Sequence, residues 1–163
     1  MRTSHNIKRF FKGFSYAFGG IISCIKTERN MRFHLGAAVI VAALSVICRL
    51  SASENAVLFP TVGVVMSLEA VNTAVESAVD LAAKGERSHF AKKAKDAAAG
   101  AVLISAVAAL GVAFEIFCKK ERLKIIWNFF CSNPAAVLIA AVFLCIWILF
   151  VLKTGNDNNK DKE

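Results

Sequence analysis

Long apolar blocks, separated by short charged or polar stretches, make up most of this chain. Four blocks can be read, at residues 35–50, 56–83, 97–114 and 134–152. A helix that spans a lipid bilayer needs about 20 consecutive, mostly apolar residues. The third and fourth blocks carry no charge and satisfy this requirement directly. The first satisfies it if Arg49 extends its charged end to the membrane interface, and the second if its polar residues are tolerated.

Residues 7–25 show a different pattern, in which apolar side chains recur at helical spacing. These positions fall within an arc of about 120° when each residue advances by about 100°. Basic and polar side chains, including Arg9 and Tyr16, fall on the opposite side. A helix with one aromatic and one basic face is typical of a segment that lies in the membrane interface. A helix packed on a soluble core is the alternative, and the neighbouring apolar blocks count against it.

The composition excludes an ordinary soluble domain. Hydrophobic residues make up 56% of the 163 positions, and the mean hydropathy is +0.55. The net charge of +8 suits an anionic membrane surface, whereas a nucleic-acid-binding protein would usually lack the long apolar blocks. Five cysteines without a CxxC pair predict neither a disulfide framework nor a zinc site. The N-terminus lacks the clean apolar region of a cleavable signal peptide.

The distribution of basic residues predicts the topology. Short cytoplasmic loops of membrane proteins carry an excess of lysine and arginine. Residues 8–32 and 84–95 are rich in basic residues, whereas the charged residues of the 49–55 loop are only Arg49 and Glu54. We therefore expect the N-terminus and the 84–95 loop to lie in the cytoplasm. The basic stretch 118–124 then falls outside, against the rule, and the fourth span returns the C-terminus to the cytoplasm.

Together these patterns predict an all-α integral membrane protein with three membrane-spanning core helices and a fourth, C-terminal one. The N-terminal part is a cytoplasmic amphipathic surface helix. The last residues are polar and are expected to be disordered. The predicted segments are 1–30 for the surface helix, 31–118 for the core, 119–133 for a basic and aromatic connector, 134–152 for the additional span and 153–163 for the tail.

The second apolar block is unusual because polar groups line one side of it. Pro60, near its start, favours a kink or a later start of the helix. Five polar positions share an arc of about 100° on a helical wheel, and these are Glu69, Asn72, Thr73, Glu76 and Asp80. Ionisable groups inside a membrane are costly and usually face a bundle interior, where they serve a function. A purely structural pairing with basic residues is the alternative.

The depth order of this stripe suggests phosphoryl transfer. Asp80 lies near the cytoplasmic end, and Glu69 lies roughly 16 Å deeper at 1.5 Å per residue. The shallow carboxylates can hold a divalent cation, and the deep one can accept a proton from a lipid group. Lys95 can bind phosphate, and Asp96 can accept hydrogen bonds from a nucleotide. The chain contains no Walker A motif and no kinase glycine loop.

Two other classes of function compete with this interpretation. A carboxylate-lined ion or proton transporter explains the stripe equally well, but it does not explain Lys95 and Asp96 or the basic surface helix. An assembly or regulatory protein with a decayed site is the other, and the complete signature E-x-x-N-[ST]-A-x-E-x-x-V-D at residues 69–80 argues against it.

Three motifs resemble those of one family. The stripe fills every position of E-x-x-N-[ST]-A-x-E-x-x-V-D, "AKDAAAGAV" follows in the third block, and "RFFKGFSYAFGGI" and "TERNMRFH" precede it. In this order they resemble the prokaryotic diacylglycerol kinases, which are small integral-membrane lipid kinases. The resemblance thus implies a multi-pass protein of the bacterial cytoplasmic membrane. The resemblance covers about residues 6–117. It leaves residues 118–163 as an addition, because family members usually end after the third span.

The resemblance implies the roles of the candidate residues, with Mg²⁺ as cofactor and ATP as co-substrate. Glu69 would be the general base on the lipid hydroxyl, supported by Asn72 and Asp80. Glu28 and Glu76 would bind the metal. The residues expected to contact ATP are Arg9, Tyr16, Glu28, Glu76, Lys95, Asp96 and Glu86, and those expected near the lipid are Glu69, Asn30, His34 and Ala99. The 80–95 loop is about one residue longer than in relatives, which puts Glu86 in doubt.

The resemblance also implies an acceptor and an assembly. "TERN", "FH" and "KDAAAGAV" look most like the Gram-positive branch, whose members phosphorylate undecaprenol. Proteobacterial diacylglycerol kinases carry a serine near Ala99, so the alanine favours undecaprenol, with diacylglycerol as the alternative. The family forms homotrimers with sites between neighbouring subunits, so a single chain is not expected to show a complete site.

Overall fold

A computed structural model describes residues 2–84, 86 and 88–153, with side chains from Arg9 onward. Within these residues the chain is helical and contains no strand. The elements are α1 (Arg2–Thr27), α2 (Arg29–Ile47), α3 (Ala52–Ala83), α4 (His89–Phe117), α5 (Lys120–Ser132) and α6 (Pro134–Leu152). The all-α prediction is therefore confirmed. The predicted disorder of the polar tail falls on residues 154–163, which lie outside the described part.

Four helices are long and apolar enough to cross a membrane, namely α2, α3, α4 and α6. This confirms the four predicted spans. The outward faces of α3, α4 and α6 expose long apolar side chains, such as Val64, Leu110 and Leu149, as lipid contact requires. α3 and α4 form a long antiparallel hairpin with the most extensive contact in the bundle. α2 packs on α3, and α6 packs on α2.

The bundle has two ends, which are named here for use below. The site end carries Glu28, where α1 passes into α2, and the residues where α3 ends and α4 begins. The far end carries the 48–51 loop and the junction of α4 with α5. A small core of Cys48, Leu58, Ile116 and Phe117 closes the far end.

α3 begins earlier than Pro60 suggested. The helix starts at Ala52 and includes the proline, so the expected later start is wrong. Ser51 and Glu54 form a capping box at this terminus: the Ser51 hydroxyl accepts from the Glu54 amide, and the Glu54 carboxylate accepts from the Ser51 amide at 2.8 Å. Satisfying two end amides in this way stabilises the early start.

The predicted connector contains a helix that the sequence interpretation missed. Apolar residues at positions 123, 126 and 130 follow helical spacing and were the available signal. α5 lies at the far end, where the Arg122 guanidinium bridges both oxygens of Glu54 at 2.9 and 3.1 Å and donates to the Cys48 carbonyl. The connector is therefore on the same side as the α2–α3 loop. One of its basic charges is neutralised there by a carboxylate.

Candidate active site

The polar stripe of α3 grades from buried to exposed toward the site end. Glu69 is only 1% exposed, and Asn72 is also buried. Glu76 is half-buried and Asp80 is exposed. A carboxyl group as deeply enclosed as Glu69 needs a specific partner, because burial without one costs free energy.

Side chains from two helices meet around Glu69. The Asn30 amide of α2 lies beside its carboxyl group, and Glu28 and Glu76 are close enough to act on it electrostatically. Asn30 was expected near the lipid, and the structure places it directly against the predicted base. Glu28, which is distant in the sequence, is thus brought near the α3 carboxylates Glu69 and Glu76.

Two polar atoms at this point are left without a partner. Within the described part of the chain, Oε2 of Glu69 and Oδ1 of Asn72 are buried and accept no hydrogen bond. Buried acceptors of this kind are rare in folded proteins, since each costs about 1–3 kcal/mol. The site therefore has the chemistry to receive a hydrogen-bond donor, such as a hydroxyl group, from a ligand.

Asn72 also orients the next carboxylate along α3. Its Nδ2 donates to Oε1 of Glu76 at 2.9 Å. At the end of α1, the Thr27 hydroxyl donates to Oε1 of Glu28 at 3.0 Å. Each of the two predicted metal ligands is therefore held by a neighbouring polar group.

The donor set of Glu28 and Glu76 fits a magnesium ion that is shared with a nucleotide. Magnesium prefers oxygen ligands and is commonly held by one or two carboxylates together with substrate phosphates. Among the described residues, no group of three or more His, Cys, Asp or Glu side chains is placed to hold a metal by itself. The two carboxylates thus suit a metal that arrives with ATP better than a permanently enclosed one.

Lys95 lies beside the exposed end of the stripe. Its ammonium group forms an ion pair with Asp80, which links α4 to α3 at the site end. The pair is largely exposed, so its contribution to stability is small. Asp80 therefore holds the predicted phosphate-binding lysine near the carboxylates.

The other predicted nucleotide contacts are exposed side chains of α1, of α4 and of the residues before α4. Arg9 and Tyr16 are exposed on α1, where the Lys12 ammonium group lies 5.6 Å from the centre of the Tyr16 ring. Asp96 and Glu86 are exposed at the site end. Of the predicted lipid contacts, Ala99 is exposed on α4. No contact within the described chain joins these residues to Glu69.

His34 lines an apolar cavity of about 240 Å³ between α2, α3 and α4. Val65 and Met66 also line it, about one turn from Glu69 toward the far end. The sequence interpretation missed this cavity. The sequence feature that could have indicated the cavity is the set of small residues that line it, which are Ala37, Ala38, Ala106, Ala109 and Ala113.

The match to known proteins decides the family. Residues 15–117 match the family model described as prokaryotic diacylglycerol kinase. The chain belongs to that family. It is thus a membrane lipid kinase, and the family match ends at Phe117, the last residue of α4.

Two relatives within the prokaryotic diacylglycerol kinase family are informative. The chain is 42% identical over 117 residues to "Undecaprenol kinase" of Bacillus subtilis (strain 168), which covers 71% of this chain and 94% of that protein. It is 44% identical over 97 residues to "Diacylglycerol kinase" of Synechocystis sp. (strain ATCC 27184 / PCC 6803 / Kazusa), which covers 60% of this chain and 55% of that protein. No solved structure matches the chain.

Proposed function

We propose that this chain transfers the γ-phosphate of Mg-ATP to the hydroxyl group of undecaprenol. The observation that carries the proposal is the buried Glu69 carboxyl group, whose Oε2 has no partner in the described chain. A membrane-embedded base suits a lipid alcohol, whose hydroxyl group enters from the bilayer rather than from water. The likeness to the Bacillus subtilis protein named "Undecaprenol kinase" supports this acceptor.

In the proposed reaction, Glu69 accepts the proton of the lipid hydroxyl as the new bond forms. The hydroxyl oxygen bonds to the γ-phosphorus, the bond to the β–γ bridging oxygen breaks, and ADP leaves with that oxygen. Asn30 and the unpaired Asn72 oxygen orient the hydroxyl group and the base. The apolar cavity beside Met66 accommodates the first carbons of the lipid chain.

Glu28 and Glu76 are proposed to hold the Mg²⁺ ion, which neutralises charge on the transferred phosphoryl group when it is bound. Asn72 keeps Glu76 in position. Lys95 exchanges its ion pair with Asp80 for a phosphate oxygen of ATP. The remaining nucleotide contacts are proposed for Arg9, Tyr16, Asp96 and Glu86.

A homotrimer with sites shared between subunits accounts for the scattered nucleotide contacts. Arg9, Tyr16 and Asp96 are exposed, and no contact within the described chain joins them to Glu69. A neighbouring subunit can present such groups to that cluster. The positive charge around the site end supports a cytoplasmic location for the site, where ATP is available.

Diacylglycerol is the second candidate acceptor. The Synechocystis relative is named "Diacylglycerol kinase", although the match covers only 55% of that protein. Both lipids present a hydroxyl group at the edge of an apolar body, and Glu69 can serve as base for either.

A competition assay tests the acceptor. The full-length chain in mixed micelles receives labelled ATP, Mg²⁺ and equal amounts of undecaprenol and diacylglycerol, and the two lipid phosphates are separated. We expect undecaprenyl phosphate to be the main product. Phosphatidic acid as the main product would favour the second candidate, and no phosphorylated lipid of either kind would contradict the proposed function.

A further inference from the structure

α6 lies beyond the segment that matches the family, and it packs antiparallel to α2. Two cavities along this interface show the pairing: Ala136 lies with Ile47 near the far end, and Phe150 lies with Arg32 near the site end. The last turns of α6 therefore reach the region where α1 passes into α2. This places the end of the added helix against Arg32, about one helical turn from the predicted metal ligand Glu28.

Trp147 sets the position of α6 on α2. Its indole N–H donates to the Arg32 carbonyl at 3.2 Å, and its ring lies 5.3 Å from the ring of Phe33. A Cβ atom at Gly36 would overlap the indole ring. Only glycine leaves room for this close approach. The hydrogen bond and the glycine together define one register between the two helices.

Arg32 joins three helices at the same level. Its side chain is charged yet only 3% exposed, and its guanidinium carbon lies 5.7 Å from the centre of the Phe150 ring of α6. Its Nη1 donates to the carbonyls of Ile25 and Lys26, at 3.3 and 2.8 Å, in the last turn of α1. A cation at this position satisfies end carbonyls and suits the helix dipole.

Glu28 lies inside the span that Arg32 bridges. Glu28 has extended backbone angles and interrupts the helical backbone between the end of α1 and the start of α2. The Arg32 side chain reaches back across this break to Lys26. The angle between α1 and α2, and with it the placement of Glu28 beside Glu69, therefore depends on where Arg32 is held.

We infer that α6 positions the nucleotide–metal site through Arg32. Trp147 holds the backbone of Arg32, and Phe150 holds its side chain. Arg32 in turn fixes the break between α1 and α2. The geometry of this break sets the positions of Glu28 and α1. Trp147, Phe150 and Arg32 are positioning residues, since none of them touches a reacting group. The inference rests on the proposed function for the roles of Glu28 and α1.

Steady-state kinetics on conservative variants of the full-length chain test the inference. Phe150→Leu removes the ring beside Arg32, and Trp147→Phe removes the indole N–H. Phe130→Leu is the matched control for the first, because it makes the same change beside the same α2–α6 interface near the far end, where it lies with Ile47 and Ala136. Trp127→Phe, on the exposed side of α5, is the control for the second.

We expect Phe150→Leu and Trp147→Phe to raise the KM for Mg-ATP by about threefold to tenfold, the change that follows from loss of one such contact. The KM for the lipid alcohol and the oligomeric state should match the wild type. Both controls should keep the wild-type KM for Mg-ATP. A purely structural role would instead change the KM for Mg-ATP alike in Phe150→Leu and Phe130→Leu, and that result would overturn the inference.

Tryptophan fluorescence gives a readout that does not depend on activity. The chain has two tryptophans, so Trp127→Phe leaves Trp147 as the sole emitter. We expect the Trp147 emission of this variant to change on addition of the non-hydrolysable analogue Mg-AMPPNP. The double variant that also carries Phe150→Leu should not show the change. An unchanged Trp147 emission would contradict the coupling. If the wild type phosphorylates neither lipid, the kinase proposal fails, while this measurement still decides the inference.

Discussion

Glu69 differs from the other carboxylates of α3 in its enclosure. Glu76 has a hydrogen-bond partner in Asn72, and Asp80 has an ion pair with Lys95. Glu69 combines almost complete burial with an oxygen that has no partner in the described chain. The free-energy cost of burying such a group is tolerated where the group serves a reaction, which supports the assignment of Glu69 as the base.

Replacing Glu69 by glutamine tests this assignment. Glu69→Gln keeps the shape of the side chain but cannot accept the proton, so kcat should fall by about 100-fold or more. The KM for Mg-ATP should remain unchanged, because the base does not touch the nucleotide in the proposed reaction. Phosphate transfer from labelled ATP measures both values.

The matched control is Glu115→Gln, which makes the same change at an exposed carboxylate near the far end of α4. It should keep wild-type kinetics. Full activity of Glu69→Gln would rule Glu69 out as the base.

At the scale of elements, Arg122 adds a charged contact to the packing of α5 on α2, α4 and α6. Arg122 contacts Glu54 at the start of α3 and the carbonyl that ends α2. Both groups are largely shielded from water, as is Arg122 itself. Loss of Arg122 would leave the Glu54 carboxylate and the Cys48 carbonyl without their cationic partner at the far end, although Glu54 would keep its hydrogen bond from Ser51.

Arg122→Ala should therefore lower the thermal midpoint of the detergent-solubilised protein by a few degrees. Lys124→Ala, an exposed change on the same helix, is the control and should leave the midpoint close to the wild type. Kinase activity of both variants at low temperature should be retained, since the contact lies at the end opposite to Glu69. Equal midpoints for the two variants would mean that the Arg122 contacts do not stabilise the bundle.

At the scale of the whole molecule, the two ends of the bundle define which loops share a membrane side. α5 and the α2–α3 loop lie together at the far end, and Glu28, Asp80 and Lys95 lie together at the site end. The basic 118–124 stretch therefore lies on the same side as the α2–α3 loop, which is the side that the distribution of basic residues predicts to be outside the cytoplasm. The Arg122–Glu54 pair explains part of this exception.

Labelling of the native cysteines can measure which end of the bundle faces the cytoplasm. In intact cells, a membrane-impermeant maleimide should label a variant that keeps only Cys118, which is exposed at the far end. A variant that keeps only Cys24, on α1, should react only after the membrane is opened.

Cys48 is a control for exposure at the same end. It is 3% exposed, and burial raises the pKa of its thiol, so little reactive thiolate forms at neutral pH. A variant that keeps only Cys48 should label slowly, and faster as the pH rises. Labelling of Cys24 but not Cys118 in intact cells would reverse the proposed orientation.

Local patterns were enough to predict most of the fold and the identity of the candidate residues. The four spans follow from apolar blocks of membrane length, and the stripe from Glu69 to Asp80 follows from helical periodicity. The family follows from the same short motifs. Each of these features depends on residues within a few turns of one another, so sequence spacing alone determines it.

Only the tertiary structure decided which distant residues meet. Arg122 and Glu54 are 68 positions apart, and Trp147 and Arg32 are 115 apart, so no local period relates them. The same holds for Asn30 beside Glu69 and for the cavity that the alanines of α2 and α4 leave open. These contacts depend on how closely helices approach, as at Gly36, and that distance is set by packing rather than by the order of residues.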